Sequence, residues 1–343
     1  MSDFCNQNYE TYELGTIELQ RGGTIPNAHL AYKTYGQLNE SKSNVIVYPT
    51  WFTGFIENNE WLIGENMALD PTKYFIIVVC AFGNSQSSSP SNTKDLFAGP
   101  NFPQVSLYDN VHYQHKFITE KFGIKKIKLV VGWSMGAQQT YQWASLYPDM
   151  VERIAPMCGS AKTAIHNWVF LQSVKTALKL DFSYLSGYYT EEPVNGLKAV
   201  ANVYAGWGFS QQFYNQELYR NLGFNTKEEF ITGFWEKFFL QRDANNLLCM
   251  LDTWQNADIS DNQIYKNDLV HALSSIKAKT YVIPAEKDLY FTPDVSAWEV
   301  SVIPNAELYV VPGDWGHFAV DGLNPIDTMY VDNLLKQLLE IQV

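Results

Sequence analysis

The chain has 343 residues, 46% of them apolar and 17% charged, with a formal net charge of −12. That composition supplies one large core and argues against a long disordered region. An acidic chain whose densest basic run is IKKIK at 124–128 is a poor match for a phosphate backbone, so nucleic acid is excluded as an expected partner.

The N-terminal MSDFCNQNYETYELG has neither the basic start nor the apolar run of a signal peptide, and no later run is long enough to span a bilayer. A cytoplasmic protein without membrane contact is expected. Short apolar, β-branched runs then recur: NVIVY (44–48), YFIIVVC (74–80), IKLVV (127–131), RIAPM (153–157), TYVIP (280–284) and ELYVV (307–311). Because they are continuous rather than alternating, they predict strands buried on both faces. NSQSSSPSNTKD (84–95) reads as a polar loop directly after a strand. LYDNVHYQHKFITEKFG (107–123) and AQQTYQWASLYP (137–148) have helical spacing and stop at Gly or Pro.

Strand and helix in alternation predict an α/β fold with a mostly parallel, doubly wound sheet. From 164 to 261 the strand signal is replaced by helical segments, and 18 of the 75 positions at 165–239 are aromatic. A small helical unit needs fewer than that for its own core, so part of this surface is expected to face a cavity against the sheet. The expected division is therefore a core of 1–163, a helical lid insertion of 164–261 and a second part of the core at 262–343. Cys5, Cys80, Cys158 and Cys249 are widely spaced, form no C-x-x-C pair and read as buried free thiols.

In LVVGWSMGAQQTYQWA (129–144), Gly132, Ser134 and Gly136 form G-x-S-x-G where a strand gives way to a helix. A serine there is a turn residue or a nucleophile. The second reading explains the glycines, because a turn that sharp leaves no room for Cβ atoms and lifts the Ser134 hydroxyl above the sheet edge. It also aims the Met135 N–H and the positive end of the helix at the same spot. Such a motif requires an acid and a histidine further on, in that order. His317, after the last strand in ELYVVPGDWGHFAV, has the place of the base. Asp288 in TYVIPAEKDLYFTP has that of the acid, with Glu286 as the fallback. His112 and His115, three apart on one helix and upstream of the serine, read as a packed or solvated face rather than a metal site.

With these residues the chain resembles the α/β-hydrolase fold, and within it the group of homoserine O-acetyltransferases and related acyl hydrolases. The resemblance rests on GWSMGAQQTYQWASLYPDMVERI, FPQVSLYDNVHYQ, RDANNLL, KDLYFTP and GDWGHFAV. It implies a catalytic triad of Ser134, Asp288 and His317, a second oxyanion-hole amide at Phe52 beside that of Met135, and a possible homodimer. In that mechanism His317 takes the Ser134 proton, an acyl-enzyme forms, and no bound cofactor or metal is needed.

The acceptor separates hydrolase from transferase. The acetyltransferases of this group carry an Asp directly after the catalytic His and an Arg in the helical insertion, suited to a zwitterionic acceptor. Here Phe318 follows His317, and NVYAGWGFSQQFYNQELY (202–219) is aromatic and neutral, with Arg220 and Arg242 as the remaining cations. The sequence is thus read first as a serine hydrolase of carboxylic esters acting on a small-molecule ester, with Trp51, Trp133, Trp207, Phe209 and Phe318 as the substrate-binding residues. The alternatives are an acyl-CoA-dependent O-acyltransferase and a catalytically silent binding protein of the same fold.

Overall fold

The computed structural model describes residues 8–342, so Cys5 lies outside the described residues. Eight strands make one sheet in the order β1-β2-β4-β3-β5-β6-β7-β8. They are β1 (Glu10–Glu18), β2 (Thr24–Tyr35), β3 (Val45–Pro49), β4 (Phe75–Val79), β5 (Leu129–Trp133), β6 (Arg153–Met157), β7 (Lys279–Val282) and β8 (Ala306–Leu308). From β4 to β8 every neighbouring pair is parallel, whereas β1–β2 and β2–β4 are antiparallel.

The six expected strands correspond to β3 through β8, and β3 to β6 are buried along their whole length. Alternate residues of one strand serve opposite faces. Ile46, Tyr48, Ile76, Val78 and Val131 belong to one cluster; Val45, Val47, Ile77, Val79 and Val130 belong to the other, with Phe117 and Trp143. The β1–β2 hairpin was not foreseen. β1 buries only Leu14 and Ile17, too sparse a signal to stand out from a loop.

Helix α1 (Leu107–Phe122) starts on a reciprocal cap. Ser106 Oγ accepts the Asp109 N–H, while the Asp109 carboxylate accepts the Ser106 N–H. It stops at Gly123, whose φ of 64° suits a residue without Cβ. Helix α2 (Met135–Leu146) follows β5 after a single residue. The connection from β6 to β7 is helical, including α3 (Ile165–Lys179), α4 (Val194–Gly208), a π-helix at Ile231–Glu236 and a helix at Ala244–Gln255. Near its two ends Lys162 and Asp258 form one antiparallel bridge and a 2.8 Å ion pair. The serine-rich loop is structural: Ser87 Oγ accepts the Ala31 N–H and donates to the Cys80 carbonyl, fastening the loop to the sheet.

Candidate active site

Ser134 is the one residue between β5 and α2, and its φ of 57° with ψ of −123° is a conformation that side-chain-bearing residues rarely adopt. The surrounding glycines make the turn possible. A Cβ on Gly132 would lie 2.3 Å from the Gly136 carbonyl oxygen, and one on Gly136 would lie 2.8 Å from that of Pro49. Gly159, which the sequence reading passed over, is equally constrained, since its Cβ would come within 2.6 Å of the Ser134 carbonyl oxygen.

Loops after two other strands bring the partners. His317 Nε2 lies 2.9 Å from Ser134 Oγ, and His317 Nδ1 lies 2.7 Å from Asp288 Oδ2. All three side chains are buried. Asp288 is held in turn, because its Oδ1 accepts the N–H groups of Tyr290 at 2.7 Å and Phe291 at 3.1 Å. Gly316, at φ 61°, lets the chain pass Ser210 just before His317; a Cβ there would sit 2.7 Å from the Ser210 nitrogen. Trp133 Nε1 donates to the His317 carbonyl, tying the turn to the histidine loop. Glu286 is exposed and accepts the Gly313 N–H at 3.3 Å, so of the two acids it is Asp288 that meets His317.

The Met135 and Phe52 residues are buried, and neither N–H has a hydrogen-bond partner among the described residues. Two sealed donors without acceptors are uncommon in a folded protein. Both residues stand beside the serine: Met135 follows it in the chain, and Phe52 lines the same cavity as Ser134.

That cavity has a volume of about 220 Å³, and 11 of its 17 lining residues are Trp, Tyr or Phe, so its wall selects by shape and apolar contact. Trp51, Trp133 and Phe318 line it as expected. Trp207 and Phe209 do not: Trp207 stacks behind Tyr290, and Phe209 lies against the far face of the wall, stacked on Phe318 at 4.5 Å between centroids. The wall is completed by residues that sequence reasoning missed, among them Tyr204, Phe234, Trp235, Trp254 and Tyr290. The aromatic density of 165–239 pointed to the region but not to which rings face inward. Phe234 and Trp235 on the π-helix and the next adjacent pair, Phe238 and Phe239, all line the cavity.

No lysine or arginine lines the cavity. Arg220 is exposed and paired with Glu217 at 2.7 Å, away from the site. The one carboxyl in the wall is Asp321, whose Oδ1 accepts the Leu323 N–H at 2.9 Å. Burial pushes its carboxyl up to about 8; the Leu323 bond opposes this and the Asp327 charge adds to it. The unfolded chain ionises this group near pH 4 and the folded chain only near 8, so its contribution to stability falls as pH rises between those values. Asp321→Asn removes the slope. The variant's Tm relative to the parent is expected to climb by roughly 3 °C between pH 5 and pH 8, followed by differential scanning fluorimetry; a constant difference would contradict the account.

The Cys158 sulfur lies with the Asp288 and His317 ligating atoms inside 4.8 Å. Burial holds this thiol well above its usual range, and a protonated thiol is a poor metal ligand. Cys80 and Cys158 are buried free thiols, while Cys249 is free and only partly buried, a correction to the expected burial. His112 stacks on Tyr108 and His115 on Tyr147 at 3.8 Å, and burial lowers both pKa values, so these histidines are packing groups.

A family model described as the alpha/beta hydrolase fold matches residues 49–322. The chain belongs to the alpha/beta hydrolase fold family. Within that family it is 40% identical to an ethyl acetate hydrolase of Pseudomonas veronii, over 99% of this chain and 98% of that protein. The solved structure of the acetyl esterase MekB superposes with a TM-score of 0.95 at 40% identity, covering 97% of each chain. A homoserine O-acetyltransferase of Trichormus variabilis is more distant, at 29% identity over 92% of this chain and 91% of its own. The Ser134 turn lies where the parallel strands end, the usual place for a site in an open parallel sheet. No helix of the described residues is long and apolar enough to cross a membrane.

Proposed function

We propose that Ser134, His317 and Asp288 are the catalytic triad of a carboxylic ester hydrolase, with the Met135 and Phe52 N–H groups as its oxyanion hole. The observation that carries the reading is the unbroken series Asp288 Oδ2, His317, Ser134 Oγ at 2.7 and 2.9 Å, opening on an aromatic cavity. Such an intact series also disfavours a silent binding protein. In the neutral enzyme the His317 Nδ1–H donates to Asp288, leaving Nε2 to accept the Ser134 proton as Oγ attacks the acyl carbonyl. The resulting oxyanion gives the two sealed N–H groups their acceptor, and one such donor is worth about 3 to 4 kcal/mol of barrier. His317 then protonates the departing alcohol, and water repeats the sequence on the acyl-enzyme.

In this reading residues 164–261 are a helical lid on a core built from 1–163 and 262–343; the Lys162–Asp258 bridge at its base supports that division. Small acetyl esters are the proposed substrates. The 220 Å³ cavity suits a short acyl chain, and the relatives at 40% identity are named for ethyl acetate and acetyl esters. Water is the proposed acceptor, since Phe318 packs into an aromatic wall with Trp133 and Trp235 and offers no partner for an ammonium group. p-Nitrophenyl esters of increasing acyl length test this. The expected kcat/KM falls about tenfold or more from acetyl to octanoyl, with excess homoserine leaving the products unchanged. Transfer from acetyl-CoA to homoserine faster than any hydrolysis would replace the reading with the acyltransferase one.

A further inference from the structure

The chain has four arginines. Arg21, Arg153 and Arg220 each pair with a carboxylate, at 2.8, 2.9 and 2.7 Å. Arg242 pairs with none among the described residues, and its side chain makes no hydrogen bond to them. Its guanidinium lies instead over two rings, 4.3 Å from the Phe55 centroid and 4.4 Å from that of Phe238, with Nε sealed from solvent. Burial lowers its pKa to about 10, so it remains a cation at neutral pH. A partly buried cation over two aromatic rings, with no carboxylate partner among the described residues, is costly to keep, and its planar fork matches the two oxygens of a carboxylate.

Arg242 lines a cleft of about 170 Å³ that is separate from the aromatic cavity but shares Thr53 with it. Phe238, under the guanidinium, is itself part of the aromatic cavity's wall. The cleft also carries Ser85, Ser91 and Gln241. Ser91 Oγ accepts from Asn246 and keeps its own hydrogen to donate. The one acidic residue in the cleft, Asp243, has both oxygens engaged: Oδ1 accepts the Asn246 N–H at 2.8 Å and Oδ2 the Tyr189 hydroxyl at 2.9 Å. Its position caps the helix Ala244–Gln255 and explains why it does not turn to Arg242.

We propose that Arg242 anchors an anion site beside the ester cavity and that its ligand is a carboxylate, carried by an ester substrate or by the acid that hydrolysis releases. The second half rests on the hydrolase reading; the site itself does not. Both sources are tested by binding alone, as the rise in Tm produced by each probe on a Ser134→Ala background, which leaves esters intact. The probes are sodium acetate, 4-acetoxybutanoate and uncharged butyl acetate, with sodium chloride at equal ionic strength as control. At least one carboxylate is expected to bind about tenfold or more weakly once Arg242→Met is added, the loss of one charge-assisted contact, while butyl acetate responds alike in both backgrounds. Acetate binding that depends on Arg242 assigns the site to the released acid. Dependence for 4-acetoxybutanoate alone assigns it to the substrate. Arg242→Lys, which keeps charge and stem but not the fork, serves if the methionine variant does not fold, and an intermediate loss is expected. If neither carboxylate's binding responds to Arg242 the proposal is overturned, whatever the parent enzyme does to esters.

Discussion

Ser134→Ala is expected to lower ester turnover by about 10⁶, the scale on which removal of a serine nucleophile acts in a comparable triad. The size follows from where the hydroxyl sits. Ser134 Oγ is 2.9 Å from a base whose other nitrogen is already committed to Asp288, and no second hydroxyl or thiol holds that place. Cys158, whose sulfur lies within 4.8 Å of the Asp288 and His317 ligating atoms, is buried with its thiol held well above its usual range, so it cannot take over. The fold should survive, because alanine keeps the Cβ of the strained turn and loses only one hydrogen bond. Fluorophosphonate labelling should vanish together with turnover, and an unshifted melting curve would show that chemistry rather than structure was lost. Turnover within tenfold of the parent would remove Ser134 from the mechanism.

Much of this site is legible in the sequence alone. Gly132, Ser134 and Gly136 sit at a strand-to-helix junction, and the reason given by sequence, crowding at the glycines, is the one the structure shows at 2.3 and 2.8 Å. The continuous runs of β3 to β6 were legible because burial on both faces leaves almost no polar residue, Arg153 at the start of β6 excepted. The β1–β2 hairpin was not, since a strand at the sheet edge with one dry face keeps mostly polar residues. The cavity wall was legible only as a region. Trp207 and Phe209 fall in the right helical stretch, yet their rings back the wall instead of forming it, whereas Phe234, Trp235, Phe238 and Phe239 line the cavity as two adjacent pairs, a pattern that 3.6-residue periodicity does not single out. Arg242 shows a further limit. In sequence it is only one of two arginines in the insertion, and only the geometry shows that its neighbour Asp243 is occupied elsewhere.

Asp288→Asn should cost about 10⁴ in turnover, and the hydrogen bonds around the carboxylate explain why an isosteric change is so damaging. Oδ1 already accepts two backbone N–H groups, from Tyr290 and Phe291. An asparagine must therefore keep its oxygen on that side, for an NH₂ there would face two donors. Its NH₂ is then forced toward His317 Nδ1, which must become an acceptor and pass its hydrogen to Nε2. In that tautomer Nε2 can no longer receive the Ser134 proton, although the ring has not moved. Glu286→Gln provides the contrast, because Glu286 is exposed and its only side-chain hydrogen bond among the described residues is from the Gly313 N–H at 3.3 Å; its turnover should stay within about threefold of the parent, as for a surface group remote from the chemistry. Measured side by side on one ester, the two variants decide the assignment: a larger loss from Glu286→Gln would move the orienting role away from Asp288.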